Sequence, residues 1–354
     1  MRKKFLLTGV ALVMLATSLF ATPPYQQNIT MTSQWFASNL FLGDGAILYS
    51  SSRINPYFAN LGATGLLKDP ARYPQVLAWM HWYINHLNWP DKWGYYGTTY
   101  DYNIINGKEV SSGDADSTDS YAGTFLSLAW AYWRTGDANG QAYIRSIKYQ
   151  LDVIGSVITK TQQSDGLTWA KPDYLIKYLE DNSEAYRGLR DLASLMQALG
   201  DSTKASYYTN AANKMQAGIM SMWISSIGRW AVYKDWYNHF IPPNMGVWYP
   251  DATSQLYPTV YGVVSPSDAH SKWTYYLFNV AWPGWPNLSY NNQDPFPWTI
   301  VGAASSLMGD SGRISTYFGN LEYKYVNNHF PWPWYCMEAG FFMRANSQML
   351  GHGF

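Results

Sequence analysis

Three apolar runs in this chain end in Gly-Asp: Gly136-Asp137 after 121–133, Gly200-Asp201-Ser202 after 186–198, and Gly309-Asp310-Ser311 after 298–307. Glycine supplies the left-handed residue that ends a helix, and the Asp or Ser behind it caps the next one. Each such site therefore reads as a tight turn between two helices. Leu67-Lys68-Asp69-Pro70 and Ser265-Pro266-Ser267-Asp268 read the same way. The turns fall near positions 68, 136, 200, 266 and 310, so the chain is a repeat of helix pairs.

The two members of each pair differ. Segments after the turns are amphipathic: 73–87, 141–157, 206–223, 273–280 and 314–326. Segments before them, such as AGTFLSLAWAYW and IVGAASSLM, are small and apolar nearly all round, as helices buried on every side are. An inner ring of apolar helices inside an outer ring of amphipathic ones follows. A sixth pair forms if a C-terminal helix at about 335–350 meets an N-terminal one around 32–40. The predicted fold is all-α: an (α/α)6 barrel with long aromatic loops and short β-hairpins, at ILYS (47–50) and WAVYKDW (230–236).

Arg2, Lys3 and Lys4 precede an apolar run, 5–20, and Ala21 offers a small residue for cleavage. The expectation is a signal peptide over 1–21 and one domain over 22–354, acting as a monomer outside the cytoplasm, extracellular or periplasmic. No later segment approaches the ~20 uninterrupted apolar residues of a membrane span. The single cysteine, Cys336, allows no internal disulfide, so the fold rests on its core. Lys plus Arg and Asp plus Glu both number 24 with no basic block after the leader, which argues against nucleic acid as a partner. Aromatic residues are the excess, at 18% of the chain, and many sit beside Pro, Gly and Asn in loops such as AWPGWPNLSYNNQDPFPW and HFPWPWY. Such rings stack on the apolar faces of sugars.

In a ring of parallel inner helices, all N-terminal ends open on one face. Five of the six predicted starts carry a carboxylate: 116–121, 180–186, 251–253, Asp294 and Glu338, the exception being Asn55-Pro56-Tyr57. The second and third starts share a pattern, Asp119-Ser-Tyr121-Ala-Gly123 and Glu184-Ala-Tyr186-Arg-Gly188. Helix capping accounts for one acid per helix at ~0.3–1 kcal/mol. It does not need Asp114, Asp116 and Asp119 together, nor Glu180, Asp181 and Glu184 together. An EF-hand count from Asp114 fails, because its sixth position is Asp119 and its twelfth Phe125. The six His show no HExxH spacing, and no nucleophile-elbow, phosphate-loop or dinucleotide motif occurs, so neither metal nor cofactor is expected. Paired carboxylates in an aromatic cleft suit glycoside hydrolysis, where one carboxyl is protonated and the other ionised.

The motifs DADSTDSYAGTFLSLA, YLEDNSEAYRGLRDLASLMQALGD, WYPDATSQLYPTVYGV and RINPYFANLGATGLL resemble the six-hairpin glycosidase superfamily over most of the chain. That resemblance implies an (α/α)6 toroid and sugar chemistry. Asp114, Asp116 and Tyr121 are similar in position to the Asp-x-Asp and Tyr of family 8 glycoside hydrolases. Those enzymes carry their general acid at the start of the first inner helix. Here that place reads Arg53-Ile54-Asn55-Pro56, so the acid must come from elsewhere.

The expected function is a secreted glycoside hydrolase acting on a poly- or oligosaccharide, inverting by analogy. Asp116 and Glu184 are its principal pair, with Asp119, Asp181 and Asp251 as neighbours tuning pKa or binding hydroxyls. Tyr57, Tyr121, Trp169, Tyr186, Trp282, Trp285 and Trp332 are expected to stack on sugar rings. The alternatives are a polysaccharide lyase on the same toroid and a non-catalytic carbohydrate-binding surface protein.

Overall fold

The computed structural model describes residues 24–290 and 294–354, so the expected signal peptide lies outside the described residues. The helices run in chain order α1 (Tyr25–Asn39), α2 (Pro56–Leu66), α3 (Tyr73–Asn85), α4 (Asp119–Arg134), α5 (Ala138–Ser146) and α6 (Lys148–Thr161). They continue as α7 (Leu179–Ala198), α8 (Ser202–Ser221), α9 (Tyr257–Val260), α10 (Ala269–Ala281), α11 (Thr299–Leu307), α12 (Ser311–Lys324) and α13 (Cys336–Met349). Helices α2, α4, α7, α9, α11 and α13 each pack on the next, and α13 returns to α2, which closes an inner ring. The rest form the outer layer, where α1 packs on α13 as the sixth pair. The fold is an all-α (α/α)6 toroid.

All five turn aspartates do what their position requires. The side chains of Asp69, Asp137, Asp201, Asp268 and Asp310 each accept a backbone N–H from the first turn behind them. Gly136, Gly200 and Gly309 take φ of 76°, 78° and 72°, the left-handed conformation a C-cap needs.

Two pairs depart from the regular repeat. The second outer helix breaks at Ile147, which leaves helical dihedrals, into α5 and α6. The fourth inner helix is one turn long: the chain is extended at Tyr249 before it (φ −122°, ψ 135°), and Gly262, with a left-handed φ of 72°, follows just past its end.

The inner helices approach closely at their middles. A Cβ on Gly123 would stand 2.8 Å from the Glu184 carbonyl oxygen, and one on Gly188 would run into Gly123 itself. Across the ring, a Cβ on Gly62 would stand 2.8 Å from the Cys336 carbonyl oxygen. These contacts make a waist that separates the two ends of the toroid. They also give the glycines of the Asp119/Glu184 pattern a packing cause.

Short strands decorate the loops. β1 (Arg53–Ile54), β2 (Tyr102–Ile105) and β3 (Lys108–Ser111) form one antiparallel sheet. β4 (Lys177–Tyr178), β5 (Trp223–Ile224), β6 (Arg229–Trp230), β7 (Tyr233–Lys234) and β8 (Phe240–Ile241) follow, with β4–β7–β8 and β5–β6 as separate sheets. The expected hairpins differ from this. The 47–50 piece makes only isolated bridges, and 230–236 is split between β6 and β7, which pair in different sheets. Among the described residues no helix is long and apolar enough to cross a membrane.

Candidate active site

A cavity of about 570 Å³ opens at the N-terminal ends of the inner helices. Its wall is built from the run-up to each inner helix: Asn55 and Tyr57 before and in α2, Asp116 and Tyr121 at α4, Glu180 and Asp181 at α7. Tyr249 and Tyr257 come from the α9 region, Asp294 and Trp298 from before α11, and Tyr335 from before α13. Convergent helix starts bring the positive ends of several helix dipoles to one place, where carboxylates are favoured.

Six carboxylates line this cavity: Asp101, Asp114, Asp116, Glu180, Asp181 and Asp294. Three are already engaged. Asp114 is paired with Lys92 (2.9 Å) and Lys171 (3.3 Å), which hold its pKa below the usual value despite partial burial. Asp294 accepts the Phe296 N–H at 2.9 Å. Asp101 accepts Tyr121 Oη–H at 2.8 Å and Asn55 Nδ2–H at 3.3 Å, and faces Arg53 Nη2 at 3.5 Å. Burial still outweighs these partners and pushes Asp101 up to about 6.

Of the other three, Asp116 and Asp181 have no side-chain hydrogen-bond partner among the described residues, whereas Tyr257 stands within hydrogen-bonding reach of Glu180. Asp116 is exposed to the cavity. Asp181 is pushed well above the carboxylate range by burial first, then by the charges of Asp119 and Asp116. Glu180 is raised likewise, by burial and then by Asp181 and Glu184, and its Oε1 is buried without a partner. The wall thus holds an accessible carboxylate beside carboxyls that prefer to keep a proton.

The remaining expected acids lie elsewhere. Glu184 is 1% exposed and sits at the waist beneath the cavity. Its Oε1 accepts Oη–H from Tyr57 (2.7 Å) and Tyr261 (2.8 Å), and its Oε2 is buried and unpartnered. Burial and then Asp181 raise it to about 8. Asp119, the first residue of α4, is fully buried and accepts Thr168 Oγ1–H (2.5 Å) and the Ser120 N–H (2.8 Å). Asp251 accepts the Asn244 N–H at 2.6 Å and is not part of the cavity wall. Glu338, on α13, accepts the N–H groups of Trp298 (3.2 Å) and Thr299 (2.7 Å) and so caps α11 from a neighbouring helix. That contact holds Trp298 in a left-handed conformation (φ 58°), an uncommon one for a bulky residue, with its ring 4.8 Å from Tyr249.

Of the expected stacking residues, Tyr57 and Tyr121 line the cavity, with ring centroids 6.0 Å apart and near parallel. Trp332 is 58% exposed and packs edge-on against Tyr49 and Phe296, two wall residues, which puts it at the rim. The other four are outside. Trp169 lines a separate cavity of about 380 Å³ with Lys177 and Trp236. Tyr186 is a buried core residue, because it sits two positions past Glu184 on a helix whose start, not middle, reaches the site. Trp285 is fully buried and donates to Asn279 Oδ1 at 2.8 Å, and Trp282 packs edge-on against Trp248 at 5.2 Å. Both serve the packing of α10 and its loop rather than the wall.

Sequence reasoning missed Tyr49, Phe58, Tyr249, Phe296, Trp298 and Tyr335 as wall residues. Their shared signal is position within the ten residues around each inner-helix start. Asp101 was missed because it enters from the loop before β2, off any inner helix. It fills the corner beside Arg53 and Asn55. Among the described residues no group of three or more His, Cys, Asp or Glu is placed to hold a metal ion.

An all-α six-hairpin toroid with an acidic, aromatic-walled cavity at one end invites comparison with known proteins. No family model and no curated protein matches the chain. Solved structures do. A rhamnosidase from Klebsiella oxytoca with rhamnose bound aligns at TM-score 0.62 and 10% identity, over 94% of this chain and 65% of that one, so this chain spans about two thirds of its length. A GH63 mannosylglycerate hydrolase from Thermus thermophilus in complex with glucose aligns at TM-score 0.61 and 11% identity, over 91% of this chain and 99% of that one. A wild-type glycosidase aligns at 0.62 and 10%, over 93% and 98%. The structural neighbours are glycosidases, and at this identity the likeness shows the fold.

Proposed function

We propose that the protein is a glycoside hydrolase exported by its N-terminal segment and acting on an oligo- or polysaccharide. The observation that carries this reading is the cavity itself. Asp116 and Asp181 stand in one aromatic wall without hydrogen-bond partners, and burial and neighbouring charge push the Asp181 carboxyl well above the usual carboxylate range. Hydrolysis by inversion needs that division. Asp181 donates its proton to the glycosidic oxygen as the bond to the anomeric carbon breaks. Asp116 takes a proton from the water that attacks that carbon from the opposite face. Glu184 does not touch the sugar: it is no part of the wall, and its Oε1 is held by the hydroxyls of Tyr57 and Tyr261. The volume lies in the range of about 300–1,000 Å³ usual for small-molecule sites, and rings such as Tyr249, Trp298 and Tyr335 supply stacking faces. That glycosidases of the same fold hold rhamnose or glucose supports the reading.

A lyase would need a free cation to neutralise a uronate. The cations in this wall are Arg53, which faces Asp101, and Lys171, which pairs with Asp114. Digestion of a polysaccharide panel, with product analysis, tests the proposal. Reducing sugar without a new ultraviolet-absorbing double bond is expected. Asp116→Asn and Asp181→Asn should each lower kcat by ~10²–10⁴-fold, the usual weight of general acid–base catalysis. Full activity in both variants, or an unsaturated product, overturns it.

A further inference from the structure

The opposite end of the toroid holds a second cavity of about 570 Å³, beyond the glycine waist. Lys68, Arg134, Arg187 and Arg344 line it, and Asp191 is the one Asp or Glu side chain in its wall. Arg187 Nε meets Asp191 Oδ2 at 2.7 Å, which leaves the other three cations without an acidic partner. Lys68 Nζ donates to the Gly353 carbonyl oxygen at 3.0 Å. Arg134 and Arg344 make no hydrogen bond or ion pair among the described residues. The Arg344 guanidinium lies over the Phe354 ring at 3.8 Å, and its Nε is buried with no acceptor. The crowding is felt electrostatically. Burial, then Arg344 and Arg134, lower Lys68 to about 8.

The C-terminal ends of the inner helices converge here, and cations beside them gain ~0.3–1 kcal/mol apiece. That term accounts for basic residues near the helix ends. It does not account for the Arg344 Nε–H, which is buried without an acceptor, since such a donor costs about 1–3 kcal/mol, and more when charged; Arg134 is exposed and stands at the mouth of the cavity. A planar guanidinium offers a fork that oxygen anions fill in pairs.

We propose that this cavity is a binding site for a small multivalent oxyanion of the phosphate type, held by Arg344 and Arg134 with Lys68. The site is separate from the acidic cavity, and its test does not depend on hydrolysis. Inorganic phosphate is titrated into the full chain at low ionic strength by calorimetry, with chloride at matched ionic strength as the control. Saturable phosphate binding and a raised Tm are expected for the wild type, with neither in chloride. Arg344→Met should weaken binding at least about tenfold, a loss of about 1.4 kcal/mol, as expected for a charge-assisted contact. Asp116→Asn, at the other end, should bind as the wild type does. Absence of saturable binding by the wild type overturns the proposal, as does equal affinity in Arg344→Met or a loss confined to Asp116→Asn. If Arg344→Met does not fold, Arg134→Gln serves in its place with the same expectation, and the wild-type titration remains decisive by itself.

Discussion

Six carboxylates face the cavity at one end of the toroid, while three guanidiniums and an ammonium face a cavity of the same volume, about 570 Å³, at the other. The same helices build both. α4 gives Ser120 and Tyr121 to the first and Thr124, Ser127 and Arg134 to the second. α7 gives Glu180 and Asp181, then Arg187 and Asp191. Six parallel dipoles sort charge in this sense, but at ~0.3–1 kcal/mol per group they only bias the arrangement. Leaving a buried charge uncompensated costs several kcal/mol. The surplus of charge at each end exceeds what the scaffold asks for. At one end the surplus suits proton transfer, at the other the capture of an anion.

The largest effect should come from breaking one end and sparing the other. Against the collapse expected of Asp116→Asn, Arg134→Gln should leave kcat on the same glycan within about twofold, because it removes a charge across the waist that touches no reacting group. A comparable collapse in Arg134→Gln would mean that the two ends are one site.

Next in size is the waist. Gly188→Ala forces a methyl into the Gly123 backbone, and overpacking of this kind costs about 1–3 kcal/mol. Urea denaturation should show that loss in midpoint. The substitution lies between the cavities, so activity and phosphate binding should fall together with the folded fraction. Unchanged stability would show that the helices separate freely at this crossing.

These two elements also show what could be read in advance. The helix pairs were legible because glycine and aspartate do local jobs, and all five turn aspartates cap as their positions require. The wall of the acidic cavity was half legible. Asp116, Asp181, Tyr57 and Tyr121 follow from helix starts, whereas Glu184 and Asp119 share that signal and are sealed below, because depth along a helix is set by how the ring packs. Trp282 and Trp285 came from a composition argument, and composition carries no direction. The β2–β3 hairpin had a plain signal in Asn106-Gly107, whose φ values of 52° and 73° are those its tight turn demands. Asp101 rides on that hairpin's approach and was lost with it. The basic cavity was not legible at all, since its four cations are spread from position 68 to 344 and only ring closure brings them together.

The ends should also part company in their response to pH. Burial raises Asp101 to about 6 and Glu184 to about 8, and it pushes Glu180 and Asp181 well above the usual carboxylate range. A carboxyl with a raised folded pKa holds its proton more tightly folded than unfolded, so its contribution is full at low pH and is lost as pH rises through the folded value. Stability should fall from about pH 5 to pH 8. Lys68, lowered from 10.5 to about 8, contributes in the opposite sense, because between those values the unfolded chain binds the extra proton and this one term rises with pH. Lys68→Met should remove that term alone, so the Tm difference between variant and wild type should change between about pH 8 and pH 10.5 and stay constant below it. A Tm that rises from pH 5 to 8 would contradict the burial of the acidic end.

The smallest effect concerns communication across the waist. Tyr57 lines the acidic cavity and Tyr261 the basic one, and both donate to the same oxygen of Glu184. Glu184 in turn raises the neighbouring Glu180, while Arg344 acts on Tyr261 from the far side. Phosphate bound at Arg344 would offset that positive field and make carboxyls at the waist and above it harder to ionise. The alkaline limb of kcat/KM, which needs the proton donor protonated, should therefore move to higher pH by on the order of 0.3 unit, the scale of a screened charge acting through protein. The measurement is the pH profile in phosphate against chloride at matched ionic strength, for the wild type, Arg344→Met and Tyr261→Phe. The shift should vanish in Arg344→Met. In Tyr261→Phe it should shrink while phosphate still binds, since the hydroxyl that carries the contact is gone and the anion's ligands remain. A wild-type profile identical in both salts would make the two ends electrostatically independent, divided by the glycine waist as completely as their residues are.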